Sequence, residues 1–159
     1  MAITSNDLFT AGQVLTATEC NNFPRGVMAL ATSTTNYVIT TSTVIATGMT
    51  VTFTAAASRN YRITYVEPSI NTPAVSGGFV TSTIRLTNAA GAAGQTGLCQ
   101  TNSLTAYSAP LALSYVTTFT AGSTTLVGCL LTSSTTGTPT ASRNANQPSY
   151  LLVEDIGTA

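Results

Sequence analysis

The side chains that most often carry catalysis are scarce in this chain of 159 residues. It contains no histidine and no lysine, so it cannot build a Ser-His-Asp triad, a Cys-His pair or a lysine nucleophile. Glu154 and Asp155 are its one adjacent pair of acidic residues. Because consecutive side chains of a strand point to opposite faces, these two do not share one site. The sequence predicts that the protein is not an enzyme and has no catalytic residue.

The other acidic residues, Asp7, Glu19 and Glu67, stand alone in the sequence. A glycosidase built on two carboxylates would need two acids to meet through the fold. A stretch from 91 to 97 has glycines at the spacing of a phosphate-binding loop, but no lysine or helical pattern follows it. We interpret this stretch as a flexible loop, and we expect no cofactor.

The three cysteines, Cys20, Cys99 and Cys129, are widely spaced, and there is no histidine to complete a zinc site. We therefore expect no metal site and interpret the cysteines as small buried thiols. Cys99 and Cys129 flank predicted strands, and the sequence leaves open whether they pair in an oxidising environment.

Charge is scarce as well, with 6% charged residues and a net charge of zero, while 43% of the residues are hydrophobic. Disordered chains show low hydrophobicity and high net charge, so this chain is expected to fold. Five arginines make no basic surface, which argues against nucleic acid or an anionic membrane as partners. A surface so poor in charge does little to oppose self-association, and we expect a homo-oligomer.

Threonine dominates the composition, with 33 residues spread through apolar segments. Its branched side chain suits a pleated, half-solvated surface and is a poor helix former. Short apolar segments separated by turn residues predict an all-β domain of eight to ten strands, a sandwich or jelly roll, over residues 23–159. An N-terminal anchor segment, residues 1–22, precedes it. We expect a short helix within residues 12–22, where Thr16 and Glu19 have the spacing of a capping box.

Alternation with a period of two marks the clearest strands. In residues 49–55 threonine alternates with Met, Val, Phe and Ala, and in residues 61–67 the aromatic and apolar side chains face one way. We expect these two strands to form a hairpin-like pair. Residues 111–121 and 124–132, joined by a tight turn, predict a second hairpin.

The apolar run Tyr150–Gly157 closes the chain and is punctuated by Pro148 before it and glycine at its end. Its large, contiguous apolar residues predict a central strand that is buried on both faces. The similar run Val27–Thr32 is its expected neighbour, so the first and last strands would meet. Glu154 and Asp155 are then expected to be partners for arginines, within the chain or across a subunit boundary.

Four segments together resemble a module of phage minor tail and other virion proteins, found in phages of actinobacteria and similar to the C1q/TNF-like jelly roll. The resemblance covers nearly the whole chain and departs from the pattern at Ser58, where a glycine is expected. The segments are Phe9–Ala17, Pro24–Val27, Arg59–Thr64 and Tyr150–Gly157.

The resemblance implies a trimeric jelly roll without enzymatic activity, displayed on the particle surface as a capsid decoration or minor tail protein. Residues 1–22 are expected to bind other virion proteins. With no signal peptide at its N-terminus, the chain is expected to be made in the host cytoplasm. A receptor-binding tail fibre or tip module is the alternative, and it would recognise a host-surface glycan or protein through loops 68–78, 88–97 and 133–148.

Overall fold

A computed structural model describes residues 14, 17–40, 44–100 and 108–159, with the backbone alone for 18, 19 and 94–100. Within these ranges the fold is all-β, as the composition predicted. The part described contains no helix of the length and apolar character that crossing a bilayer requires. The elements are α1 (Ala17–Asn22), β1 (Gly26–Ser33), β2 (Tyr37–Val38), β3 (Ile45–Ala55), β4 (Arg59–Asn71), β5 (Phe79–Leu86), β6 (Ala93–Gln100), β7 (Ser108–Thr117), β8 (Gly122–Thr132), β9 (Thr140–Ala141) and β10 (Ser149–Thr158).

The ten strands form two antiparallel sheets that pack face to face. In sheet A, β1, β10 and β4 lie side by side, and β7 pairs with the other edge of β4. The end of β4, at Ile70 and Asn71, also pairs with β9 on the edge that β10 occupies, and β9 in turn pairs with β2. Sheet B has the order β3-β8-β5-β6. The chain changes sheet repeatedly, as in a double-sheet jelly roll. The predicted all-β sandwich is therefore confirmed.

The core lies between the sheets and is built from the side chains that point inward at every second position along the strands. Phe53, Tyr61 and Phe119 stack with ring centroids 5.3 to 5.7 Å apart in tilted and edge-on arrangements. Such aromatic pairs stabilise a core by about 1 kcal/mol beyond their buried area. A second buried cluster around Ile70 and Leu130 fills the other end of the sandwich.

Strand β10 is central and lies beside the first strand, as the sequence predicted, and its other neighbour is β4. Leu30 pairs with Leu152 on one side, and Leu152 pairs with Thr64 on the other. The predicted contact between Val27–Thr32 and the closing segment is confirmed, with a bulge after Val27.

The prediction that β10 is buried on both faces is wrong. Leu151, Val153 and Asp155 are fully buried, whereas the residues between them, including Leu152, are only half-buried. The reason is that sheet B covers one face of sheet A, so the alternating side chains of β10 meet different surroundings.

Both predicted hairpins are also wrong. Strand β3 pairs with β8 in sheet B, while β4 pairs with β10 and β7 in sheet A. Strands β7 and β8 likewise belong to different sheets. Alternation reports which side of a strand is buried and carries no information about its neighbour, so a short connection between sheets looks like a hairpin turn in the sequence.

Several smaller differences concern element boundaries. Helix α1 confirms the expected helix, although Thr16 and the side chain of Glu19 fall outside the described residues. Strand β6 begins at Ala93 and occupies much of the stretch interpreted as a flexible loop. The expected loop from 133 to 148 contains β9.

Ser58 lies in the short connection between β3 and β4 and has a φ of 57°. This left-handed conformation costs a residue other than glycine roughly 1 to 2 kcal/mol. The backbone conformation at position 58 therefore favours glycine, which is the residue expected there from the resembled module.

The alternation of β10 predicts opposite outcomes for two neighbouring leucines. Leu151→Ala should lower the free energy of unfolding by about 2 to 5 kcal/mol, because it empties part of the core. Leu152→Ala should lower it by less than half as much, because that side chain is half-exposed. Urea unfolding of both variants at one fixed protein concentration measures the difference, and equal losses would contradict the one-sided burial.

Candidate assembly surface

The outer face of sheet A, which points away from sheet B, carries large apolar side chains. Val27 is 62% exposed, Leu30 is 56% exposed and Val116 is 48% exposed. The strand register places Val27 and Leu30 beside Glu154 and Leu152 on β10. We call this surface the apolar face and define it by Val27, Leu30, Val66, Val116, Tyr150 and Leu152.

The outer side of strand β3, at the edge of sheet B, has a different composition. Its outward positions Thr50, Thr52 and Thr54 are all exposed threonines. The hydroxyl of Thr52 lies 2.9 Å from that of Thr125 on β8. Threonine hydroxyls form hydrogen bonds with water, whereas leucine and valine side chains at outward positions form none. The outer face of sheet A and the outer side of β3 are therefore suited to different surroundings.

Arg62 and Glu154 form the ion pair of the apolar face, with Nε of the arginine 2.9 Å from Oε2 of the glutamate. The arginine side chain is 50% exposed. Exposed pairs of this kind contribute little to folding stability, typically under about 1 kcal/mol. The pair therefore leaves the face neutral without strengthening the fold much.

A second ion pair, between Arg59 and Asp155, is fully buried at the end of the sandwich. Nη2 of Arg59 donates to Oδ1 of Asp155 at 2.6 Å, and Nε donates to Oδ2. The same guanidinium donates to the backbone carbonyls of Asn21 and Phe23, at the end of α1. A cation at this end also suits the helix dipole. Arg59 thereby fastens the N-terminal segment to the last strand.

Asp155 titrates below the usual range of a carboxyl group. Burial alone would raise its pKa, but hydrogen bonds from Arg59 and from the Gly157 amide, together with the charge of Arg59, outweigh burial and lower the pKa. The Gly157 amide donates to Oδ1 at 3.0 Å. Asp155 is thus ionised wherever the protein is folded near neutral pH.

The third ion pair joins Arg143 to Glu67 inside the sandwich, where both side chains are almost completely buried. Nε of Arg143 donates to Oε2 of Glu67 at 2.9 Å, and the Tyr65 hydroxyl donates to Oε1. Burial first, and then the charge of Glu67, raise the pKa of Tyr65 well above its ordinary value. The backbone amide of Arg143 donates to the side chain of Asn36. These contacts fix the loop from 133 to 148 on the sheet.

The candidate acidic residues therefore serve the structure. Glu154 and Asp155 are partners for arginines, as expected, and both partners lie in the same chain. Among the described residues no group of three or more metal-ligating side chains comes together. Cys129 is a free, buried thiol, as expected, and burial raises its pKa to about 11. Cys20 is exposed, so the expectation of a buried thiol is wrong there, and the side chain of Cys99 lies outside the described residues.

Sequence reasoning missed the buried pairs formed by Arg59 and Glu67, although a signal for them was present. Both residues fall on the same period as the inward side chains Tyr61, Ile63 and Tyr65 of β4. A charged residue at an inward position needs a buried partner of opposite charge. The alternation therefore indicated that Arg59 and Glu67 point inward, but it did not identify Asp155 and Arg143 as their partners.

A neutral cavity of about 350 Å³ opens between the edge strand β7 of sheet A and the neighbouring strands of sheet B. Burial raises the pKa of Tyr115, which lies on its wall. The cavity is lined by Leu86, Ala93, Tyr115, Val116, Thr117, Thr118 and Phe119, all uncharged. Val116 belongs both to this cavity and to the apolar face.

Residues 10–145 match the model of a protein family described as a domain of unknown function, DUF7298. No curated protein matches the chain. Solved structures that resemble it include a chain of the infectious bursal disease virus Gx strain, at 17% identity, a TM-score of 0.42, and 84% of this chain and 32% of that chain covered. A chain of the T13 particle of the same virus has 13% identity, a TM-score of 0.44, and coverage of 87% and 37%.

A protein of Bacillus endospore appendages, described as disulfide-linked pili, is similar at 14% identity and a TM-score of 0.29, with 89% of this chain and all of that chain covered. This chain spans about a third of the length of the viral chains it matches. Similarities at TM-scores below 0.5 are distant, and no argument about function rests on them.

The lowered pKa of Asp155 predicts a pH dependence of stability. A carboxyl group whose pKa is lower in the folded state stabilises the fold above its unfolded pKa, near 4, and this contribution disappears as the pH falls through the lower folded value. Asp155→Asn should therefore be much less stable than the parent at pH 7, and the gap should narrow below about pH 4. Urea unfolding across this range measures it.

Glu154→Gln is the matched control, because it changes the neighbouring carboxyl group in an exposed ion pair. We expect it to stay close to the parent at every pH. A gap between Asp155→Asn and the parent that is constant from pH 7 to pH 3 would contradict the assignment of the pH effect to Asp155.

Proposed function

We propose that this chain, which belongs to the DUF7298 family, is a non-enzymatic structural protein of a phage particle. In this proposal three copies form a jelly-roll trimer on the particle surface, as a capsid decoration or minor tail protein. The observation that carries the proposal is the apolar face of sheet A, which needs a protein partner to be removed from water.

The contrast between the two outer surfaces supports self-association through sheet A. Exposed leucine and valine on β1 gain about 25 cal/mol for each square ångström that a partner covers. Exposed apolar side chains clustered on one face of a soluble protein, here around the Arg62–Glu154 ion pair, commonly mark an interaction site. The outward threonines of β3 stay in contact with water, so the exposed apolar side chains are concentrated on sheet A rather than on this edge of sheet B.

The charges of the domain also favour a structural role. Every acidic residue from position 23 onwards pairs with an arginine, in the three pairs described above. A surface with so few unpaired charges presents neither a basic footprint for nucleic acid nor a polar centre for catalysis. Such a neutral surface suits close packing of copies on a particle.

Residues 1–22 have the role of an anchor in this proposal and contact other proteins of the particle. The hydrogen bonds from Arg59 to the end of α1 support it, because they fasten α1 to the domain. An anchor held in this way sets the orientation of the jelly roll on its support. The resemblance to virion modules points to the same arrangement.

A receptor-binding module is a second candidate, and one observation favours it. The turn from Asn144 to Gln147 is exposed and is held in shape by the Asn144 side chain, which accepts hydrogen bonds from two backbone amides at 2.9 and 3.0 Å. The buried contacts of Arg143 hold its base. Exposed amides on a rigid turn suit recognition of sugar hydroxyls or a protein surface.

The trimer can be tested on the isolated protein. Light scattering should give three times the chain mass of 16.2 kDa. Leu30→Asp should raise the dissociation constant of the trimer by at least about tenfold, because it places an unpaired charge in the contact. Thr54→Asp is the matched control on the other sheet and should leave assembly unchanged. A parent protein that is monomeric at all concentrations would refute the proposed trimer.

Copy number in the particle distinguishes the two candidates. Quantitative mass spectrometry of purified particles should find many copies for a decoration protein and only a few for a receptor-binding tip. A variant lacking residues 1–16 keeps α1 and the contacts of Arg59, so it should still form trimers but no longer join the particle. Normal incorporation of that variant would contradict the anchor role.

A further inference from the structure

We infer that the cavity beside β7 is a binding site for a small, uncharged aromatic molecule with one hydrogen-bonding group, such as a phenol. The site lies between the two sheets, so one subunit contains all of it. The inference therefore goes beyond the proposed function and does not depend on the trimer. It rests on the shape of the cavity, on the aromatic rings beside it and on one tyrosine hydroxyl.

The cavity forms where the chain leaves sheet A. Strand β7 pairs with β4 as far as Thr117, which lies opposite Tyr61, and the chain then crosses to sheet B, where β8 begins at Gly122. Across the cavity, Leu86 ends β5 and Ala93 begins β6. Ala93 is exposed and carries only a methyl group, so it fills little of the space between the sheets. The crossing and this small side chain together leave about 350 Å³ open.

One wall of the cavity continues the aromatic cluster of the core. Phe119 lines the cavity, and its ring centroid lies 5.7 Å from that of Phe53 and 5.7 Å from that of Tyr61. Phe119 is only half-buried, so the cluster ends at a ring that borders open space. A further ring placed there can make the tilted or edge-on contacts that aromatic pairs prefer. The wall thus favours a planar aromatic ligand over a flexible chain.

Tyr115 supplies the polar group of the site. It lies at an inward position of β7, opposite Ile63, and lines the cavity. In the part of the chain that the structure describes, its hydroxyl has no hydrogen-bond partner, whereas the Tyr61 hydroxyl accepts a bond from the Ala56 amide at 2.8 Å. Burial raises the pKa of Tyr115, so the hydroxyl stays protonated and can both donate and accept. A ligand with one polar group would satisfy it.

Charge and hydrogen-bonding capacity exclude other classes of ligand. The residues that line the cavity are all uncharged, so an ion would lose its water without gaining a partner. A sugar ring carries several hydroxyls, but the wall offers few polar side chains, and Thr117 already donates to the carbonyl of Thr118 at 3.3 Å. An engineered cavity of about 150 Å³ is known to hold benzene. This cavity therefore has room for one substituted or fused aromatic ring.

Titration with phenol and with toluene, followed by NMR spectra of the protein, tests the site. The two probes share a ring and differ in the hydroxyl, and the parent protein should bind both with a Kd of about 1 mM or lower. Tyr115→Phe should weaken phenol binding about three- to tenfold, because one hydrogen bond is lost, and should leave toluene binding unchanged. Tyr150→Phe is the matched control and should affect neither probe. Unchanged phenol binding in Tyr115→Phe would overturn the role of this hydroxyl.

Filling the cavity provides a second, independent measurement. Ala93→Phe should weaken both probes at least about tenfold, because the larger side chain takes up the space that they need. Ala112→Phe makes the same change on the outer side of β7 and should leave binding unchanged; both positions are exposed, so both variants should keep the parent fold.

A parent protein that binds neither probe, or binding that survives Ala93→Phe, would overturn the inference and leave the proposed trimer intact. Preferential binding of glucose over phenol would overturn the aromatic class of ligand. A monomeric parent that binds phenol would refute the trimer alone, so the two proposals fail independently.

Discussion

The backbone hydrogen bonds that β10 makes to β1 on one side and to β4 on the other join the two ends of the chain. Strand β1 lies at the end of sheet A, so its place depends on β10. The inward side chains Leu151 and Val153 then complete the core. Contacts between residues so far apart in sequence form late and together, because loop closure must come before they stabilise anything. The sandwich is therefore a cooperative unit that closes with its last strand.

Buried ion pairs secure this arrangement at the two places where irregular backbone meets the sheets. Arg59 and Asp155 hold the end of α1, and Arg143 and Glu67 hold the loop that leads to β10. A buried pair is a poor source of stability, since removing both charges from water offsets most of their attraction. Its effect is specificity, because any other register would leave a charge buried without a partner. The few charged residues of this chain thus fix the register of its strands more than they contribute to its solubility.

Much of the sandwich could be predicted from alternation and composition, and the errors have one physical cause. The central place of β10 beside β1 followed from two long apolar runs that need partners. The pairing of β3 with β8, and the separation of β7 from β8, could not be predicted, because alternation reports burial and not neighbours. The same limit hid Arg143 as the partner of Glu67. The apolar face was missed because the closing run was assumed to be covered on both sides.

The outer face of sheet A is also the surface that bears on assembly. The inner face of sheet A is covered by sheet B, and the outer face of sheet A could carry threonine, as β3 does at Thr50, Thr52 and Thr54. Sheet A instead carries Leu30 and Leu152 side by side on its outer face. Neither residue is needed there to close the core, which the inward positions already fill. These apolar residues, which folding does not require, are the surface that the proposed trimer would cover, and a chain with so little charge has few charged groups with which to make such a contact.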